Sequence, residues 1–419
     1  METRLAQWVQ DSPDGATADH ILRACVHCGF CLATCPTYQV LGDELDSPRG
    51  RIYQIKQVLE GTAPSRTHQL HLDRCLTCRS CETTCPSGVE FGHLLDVGRT
   101  AVDERVTRPW VHRASRWLLR EGLTRRRMFG TVLLASRALA RLIPFTTGAR
   151  LRAKLGTPRP AGARPNTEHS RKVLMPLGCT QPSMLPSIDG ATSRVLDAIG
   201  IQPIIVARSG CCGAIRHHLG DPAGALTEAR HNIDTWWPDV ESGKVEAILI
   251  NASGCGAMVR DYAHLLRHDP AYAQKAARIA ELTRDPAELV SASLDRLKEK
   301  LAAAGQAPTR VQHRIAFHAP CTLQHALRIR GAVETVLMGL GAELVPVPEP
   351  HLCCGSAGTY SLLQPRISNT LRTRKLDALL QRAPQLVLSA NIGCIAHLQS
   401  GTQTPVRHWL EWLDERLHA

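Results

Sequence analysis

Apolar residues recur at helical spacing through the first third of the chain. RGRIYQIKQVLEG (49–61) sets Ile52, Ile55, Val58 and Leu59 on one face and stops at Gly61, which predicts a helix. ATADHILRA (16–24) predicts another, with Asp19 as its N-cap, and a third is expected over 91–106. RASRWLLREGL and TVLLASRALARLI read as helices carrying arginines among leucines. From residue 172 the pattern changes. The apolar runs KVLMPLG (172–178), PIIVA (203–207) and VEAILINAS (245–253) predict buried strands, interleaved with helical ATSRVLDAIG (191–200) and a longer helix over 221–242. The succession then returns as RIAFHA (314–319), GAVETVLMGLG (331–341), ELVPV (343–347), a helix over 364–382, and PQLVLSAN (384–391). Strands alternating with helices, twice over, predict two parallel α/β units.

Cysteines mark the strand ends of both units. The first carries Cys179, Cys211-Cys212-Gly213 and Cys255, and the second Cys321, Cys353-Cys354-Gly355 and Cys394. The first interval is 32 residues in each, and the last is 43 and 40. Ligands of open α/β sheets gather beyond the carboxyl ends of strands, so each set is expected to converge. Four cysteines recurring at matched positions point to a metal or redox site rather than to packing alone. His217, His218, His325 and His351 are available to supplement the thiols, although a lone histidine is more often a core or surface residue.

The helical first third holds the other eight cysteines, as CVHCGFCLATCP (25–36) and CLTCRSCETTCP (75–86). Each run is C-x2-C-x2-C-x3-C-P, the form that ligates two [4Fe–4S] clusters, with the fourth cysteine of each run serving the other cluster. Cys25, Cys28, Cys31 and Cys85 are therefore expected at one cluster, and Cys75, Cys78, Cys81 and Cys35 at the second. Zinc, which pairs two knuckles into one tetrahedron, suits this double run poorly.

Composition adds two points. Sixteen cysteines stand in 419 residues of ordinary apolar content. METRLAQWVQDSPDGATADH has no apolar leader or twin-arginine run, so these cysteines are expected as metal ligands in a reducing compartment. No stretch is long and apolar enough to predict a membrane span. Residues 105–172 carry seventeen Lys and Arg against Glu121 and Glu168, so +15 of charge lies there and −3 elsewhere, for a net +12. That segment reads either as a helical arm on anionic lipid or as an arm packed on a partner subunit. On the lipid reading, charge reversal at Arg125, Arg126 and Arg127 should release the protein from membranes. TPRPAGARP (157–165) reads as the linker that follows.

A double ferredoxin run followed by two such repeats resembles the iron–sulfur subunits of glycolate oxidase, of anaerobic glycerol-3-phosphate dehydrogenase and of lactate-utilisation systems. The glycolate oxidase family is the best match, and the repeats resemble the cysteine-rich CCG domains of heterodisulfide reductases. The matching text is ILRACVHCGFCLATCPTYQVLGDELDSPRGRIYQIKQVLEG, HLDRCLTCRSCETTCPSGVEF, NIDTWWP, HAPCTLQHA, HLCCGSAGTY and SANIGC. The resemblance implies an α+β multidomain chain. It would comprise a helical two-cluster ferredoxin-type domain (1–106), the basic helical segment and linker (107–165), CCG domain 1 (166–306) and CCG domain 2 (307–419). One departure is plain: heterodisulfide reductase repeats end in C-x2-C, whereas the first of that pair is here Ala252 or Asn391. A further metal or iron–sulfur centre, or a redox-active cysteine pair, is open at Cys179, Cys211, Cys212, Cys255, Cys321, Cys353, Cys354 and Cys394.

No recognisable nicotinamide, flavin or phosphate-binding motif is present; GCGAMV (254–259) lacks a third glycine. Alcohol oxidation needs a flavin or nicotinamide, which is expected on another polypeptide. The expected role is an electron-transfer subunit. As the resemblance implies, flavin-binding partner subunits oxidise glycolate to glyoxylate, and electrons pass through this chain to a membrane quinone at the cytoplasmic face. The competing expectations are the subunit of a lactate or glycerol-3-phosphate dehydrogenase, CCG domains that themselves reduce a disulfide or quinone, and a cluster-bearing regulator that binds nucleic acid through 105–172.

Overall fold

The computed structural model describes residues 1–142, 159–305 and 313–418. The boundary expected at 306/307, the last residue of TVLLASRALARLI and the first two residues of the linker lie outside them.

The first cysteine region is helical, as its periodicity predicts. Helices Gly15–Ala24, Pro48–Leu59, Arg66–Asp73 and Phe91–Arg105 enclose a core of Ile21, Leu22, Ile55, Leu59, Leu94 and Leu95. Helix Pro48–Leu59 begins where Ser47 Oγ accepts the Gly50 amide at 3.0 Å, with proline at the first helical position. It lies against Phe91–Arg105 at Gly98, where a Cβ would meet Ile55 Cγ1 at 2.5 Å, so only glycine permits this approach. Asp19 is not an N-cap. The helix starts earlier, after Asp14, and Asp19 sits inside it, accepting from Thr3 and from Arg23 at 2.7 Å.

Helices Trp110–Thr124 and Arg126–Leu142 follow, and part of their charge is neutralised internally. Arg116 pairs with Asp73 at 2.9 Å, and Glu121 accepts from Arg216 at 2.9 Å and Arg125 at 2.7 Å.

Each repeat is a four-stranded parallel sheet flanked by helices. The first has the order β2-β1-β3-β4, from β1 (Arg171–Pro176), β2 (Ile201–Val206), β3 (Ala247–Leu249) and β4 (Thr283–Arg284). The second has the order β6-β5-β7-β8, from β5 (Arg314–His318), β6 (Glu343–Leu344), β7 (Leu386–Ser389) and β8 (Val406–His408). β6 is shorter than ELVPV, and the edge strands β4 and β8 are not foreseen by the hydrophobic pattern. In both sheets the strand order reverses beside the central pair, β1 with β3 and β5 with β7, which opens a crevice at their carboxyl ends.

The repeats exchange helices across one core. Helix Pro186–Ala198 of the first packs on the C-terminal helix Trp409–His418, and Pro286–Ser291 packs on Ala332–Gly339 of the second. Val195, Leu196, Leu297, Leu337, Trp409 and Leu413 are buried together. Arg194 fastens the seam, donating to Asp414 at 2.6–3.0 Å and to the linker carbonyls of Ala161 and Ala163 at 2.9 Å. Because the core is shared, Leu297→Ala should cost about 3 kcal/mol and lower the stability of both repeats together. Calorimetry checks this; an early transition confined to one repeat would contradict it.

Candidate functional site

The cysteine runs wrap two adjacent cavities. In each run the residue before and the residue after the second cysteine take left-handed backbone: His27 and Gly29 in the first, Thr77 and Arg79 in the second. This winding turns successive amides inward. The Thr77 amide donates to Cys75 Sγ at 3.4 Å, and backbone amides of His27 and Ser80 reach Cys25 and Cys78. The first cavity is lined by Cys25, Cys28, Cys31 and Cys85, and the second by Cys35, Cys75 and Cys78; Cys81 borders both. Each run thus sends its fourth cysteine to the other run's cavity.

The walls are otherwise largely apolar, with Ile52, Val89 and Phe91 in the first and Leu76, Phe91 and Leu95 in the second. Burial pushes the Cys31 thiol up to about 11 and raises Cys25, Cys78 and Cys81. Thiols so placed ionise when a positive centre binds them. A soft sulfur donor set with inward amides fits an iron–sulfur cluster in each cavity.

Two arginines line the second cavity, Arg51 and Arg79, and Arg79 pairs with Asp261. Arg51 is fully buried, donating to Asp46 Oδ1 at 3.1 Å, Thr37 Oγ1 at 3.1 Å and the His71 carbonyl at 2.8 Å. Asp46, equally buried, also takes Arg74 at 2.8 Å. Burial works against the Arg51 charge, but Cys75, Cys35 and Asp46 outweigh it and hold the guanidinium ionised. A fixed cation beside a thiolate-bound cluster favours the reduced state.

The repeat cysteines converge, as their positions after strands predict. Cys179 follows β1, Cys211 and Cys212 follow β2, and Cys255 stands in the first turn of helix Ser253–Arg260 after β3. Hydrogen bonds from the Cys179 and Cys212 thiols hold Cys211 well below the usual thiol range. Asn232 fixes the pair by donating to the Cys211 carbonyl at 2.8 Å, as does Tyr262 to that of Cys212 at 2.9 Å. In the second repeat Cys321 Sγ lies 3.8 Å from Cys353 Sγ, and Asn391, one of the two departures from C-x2-C, turns its amide toward Cys394 Sγ at 3.6 Å.

Of the four histidines considered from sequence, His217 pairs with Asp96 at 3.0 Å. His218 is pushed down to about 3 by burial and by His217. His325 bonds Thr83 at 2.8 Å and approaches the His351 carbonyl at 3.2 Å. The histidine beside the second repeat's thiols is a different one, His318, which ends β5. Its place three residues before Cys321, where the other repeat has Pro176, is the signal in the sequence.

The second cavity abuts the second repeat. Leu76, Cys78, Cys321, Cys353 and Tyr360 share one apolar cluster, and Tyr360 donates to the Arg74 carbonyl at 3.0 Å. The repeats touch beside their cysteines, where Ser253, near Cys255, bonds Thr322, next to Cys321, at 2.7 Å and Asn391 Oδ1, near Cys394, accepts the Gly254 amide at 3.4 Å.

Fold and site define an iron–sulfur protein with a helical cluster unit and two cysteine-rich α/β units. Residues 21–89 match the 4Fe-4S dicluster domain family, and 173–260 and 315–399 each match the family described as cysteine-rich domain. The glycolate oxidase iron-sulfur subunit of Escherichia coli K12 is 48% identical over 417 residues, covering 100% of this chain and 99% of that protein. A probable glycolate oxidase iron-sulfur subunit of Bacillus subtilis 168 is 30% identical over 404 residues, 90% of this chain and 88% of that protein. Lactate utilization protein A of an Exiguobacterium species is 28% identical over 243 residues, 57% of this chain and 94% of that protein. The chain belongs to the family of glycolate oxidase iron–sulfur subunits.

Arg51→Met removes the fully buried one of the two arginines that neutralise Asp46, leaving Arg74, and should cost about 3 kcal/mol. The double variant Arg51→Met/Asp46→Asn should recover part of that loss in thermal unfolding; a double variant no more stable than the single would show that the buried charge is not the cause.

Proposed function

We propose that this chain is the electron-transfer subunit of a complex in which flavin-binding partner subunits oxidise glycolate to glyoxylate. Cys25, Cys28, Cys31 and Cys85 hold one [4Fe–4S] cluster, and Cys35, Cys75, Cys78 and Cys81 hold the second. Oxidation of an alcohol at a flavin releases two electrons together, and two adjacent cubanes accept them singly. The observation that carries this reading is the pair of neighbouring thiol-lined cavities in a chain matched end to end by a relative named for glycolate oxidase.

The two cavities divide the work. Around the first, Cys28 is exposed, and Val26 and Phe30 are 66% and 62% exposed, an apolar rim suited to a partner that delivers electrons. The second faces Cys321 and Cys353, so electrons leave on the side of the second repeat, toward a quinone-class acceptor. To test this, the anaerobically purified complex is mixed with glycolate, lactate or glycerol-3-phosphate and followed by electron paramagnetic resonance. Reduced-cluster signals are expected with glycolate. Signals with another substrate alone would move the chain to a sibling activity, and none with any of the three, despite reduction by dithionite, would overturn the reading.

The complex sits peripherally on the cytoplasmic face of the membrane through helices Trp110–Thr124 and Arg126–Leu142. No described helix is long and apolar enough to cross a bilayer. These two instead expose Trp110, at 77%, together with Trp117, Leu118, Val132, Leu134 and Leu139, among arginines. Tryptophan and arginine together suit the interface of an anionic bilayer. Arg125 is tied to Glu121, so the aromatic residues are the sharper probe. Trp110→Asp/Trp117→Asp should abolish co-sedimentation with anionic vesicles while leaving iron content unchanged; undiminished sedimentation would contradict the lipid contact.

A further inference from the structure

The two cysteine-rich repeats are matched in strands and thiols but not in what surrounds them. His318 ends β5, three residues before Cys321; the first repeat has Pro176 there, three residues before Cys179. Ten residues after the proline that opens the following long helix, the second repeat has Lys375 (from Pro365) and the first has Asn232 (from Pro222). One repeat thus gains a nitrogen donor and a buried cation that the other lacks.

His318 is 1% exposed, and neither of its ring nitrogens has a hydrogen-bond partner. Leaving both unsatisfied in the interior is costly. A ring nitrogen of His318 and the sulfurs of Cys354 and Cys394 all lie within 4.8 Å of one another, and both cysteines are buried. Imidazole with thiolates is the mixed donor set of a tetrahedral zinc site. Lys375 is also buried; its ammonium donates to the Glu349 and Pro350 carbonyls at 3.0 and 3.2 Å, and burial pushes it down to about 8 against the pull of Cys354, Cys353, Glu349 and Cys394.

We propose that His318, Cys354 and Cys394 are ligands of a single zinc ion in the second repeat, a site the first repeat cannot form because Pro176 replaces the histidine. The ion would tie the end of β5 to the Cys353–Cys354 turn and to the helix after β7. It thereby holds Cys353 and Cys321 against the second cluster cavity. The inference is independent of which substrate the complex oxidises.

The test is elemental analysis of the anaerobically purified full-length chain, with X-ray absorption at the zinc edge. The wild type should hold one zinc per chain with nitrogen and sulfur in its shell. His318→Ala should lose the zinc and keep its iron. His318→Cys, which restores a donor and guards against misfolding of the alanine variant, should keep the zinc with the imidazole nitrogen replaced by sulfur in its shell. Zinc retained in full by His318→Ala, a wild type without zinc, or a wild-type zinc shell without nitrogen would each overturn the assignment.

Discussion

Thiols that stand tens of residues apart have to meet at one point inside apolar walls, and the rest of the structure follows from that constraint. In the helical unit it is met by left-handed turns at His27 and Gly29, and at Thr77 and Arg79, which bend each run around its cavity, and by crossing the fourth cysteines. In the repeats it is met by topology, since the thiols gather where parallel strands end and strand order reverses. Burial that excludes water also opposes thiolate charge, so each group of cysteines depends on a positive centre or on donated hydrogen bonds.

The second cavity shows how this local chemistry reaches the whole molecule. Arg51 sits between its thiols and Asp46, and Asp46 gathers Arg74 from the next helix. The Arg74 carbonyl in turn receives Tyr360 from the second repeat, whose own turn presents Cys353 to the same apolar cluster. The helical unit and the second repeat therefore meet at a surface built from site residues. The first repeat attaches through Arg79, which also lines the second cavity and pairs with Asp261, and through the stacked rings of His93 and His264 at 3.6 Å.

Elements whose signal is local were legible in the sequence. The helix around Ile52 and Ile55 and strands β1 and β5 follow from local apolar spacing, and the duplicated cysteines from an interval of 32 residues that recurs in both repeats. What escaped depends on distant partners. Asp19 reads as a cap, yet Thr3 and Arg23 draw it inside a helix that begins earlier. Strands β4 and β8, two and three residues long, are too short to carry a period and exist because β3 and β7 offer them edges. Arg51, Lys375 and His318 are polar residues in the interior, and only the fold brings the first two their partners, the Asp46 carboxylate for Arg51 and the Glu349 and Pro350 carbonyls for Lys375. For His318 the sole trace was its mismatch with Pro176 between otherwise matched repeats.

The crossing of the fourth cysteines is the claim on which the two-cluster account stands. Electron paramagnetic resonance of the dithionite-reduced full-length chain tests it directly, comparing Cys85→Ala with Cys28→Ala and with Cys78→Ala. The account expects Cys85→Ala to lose the same signal as Cys28→Ala, although Cys85 lies in the run that contains Cys78. Loss of the Cys78→Ala signal instead would mean that each run binds its own cluster.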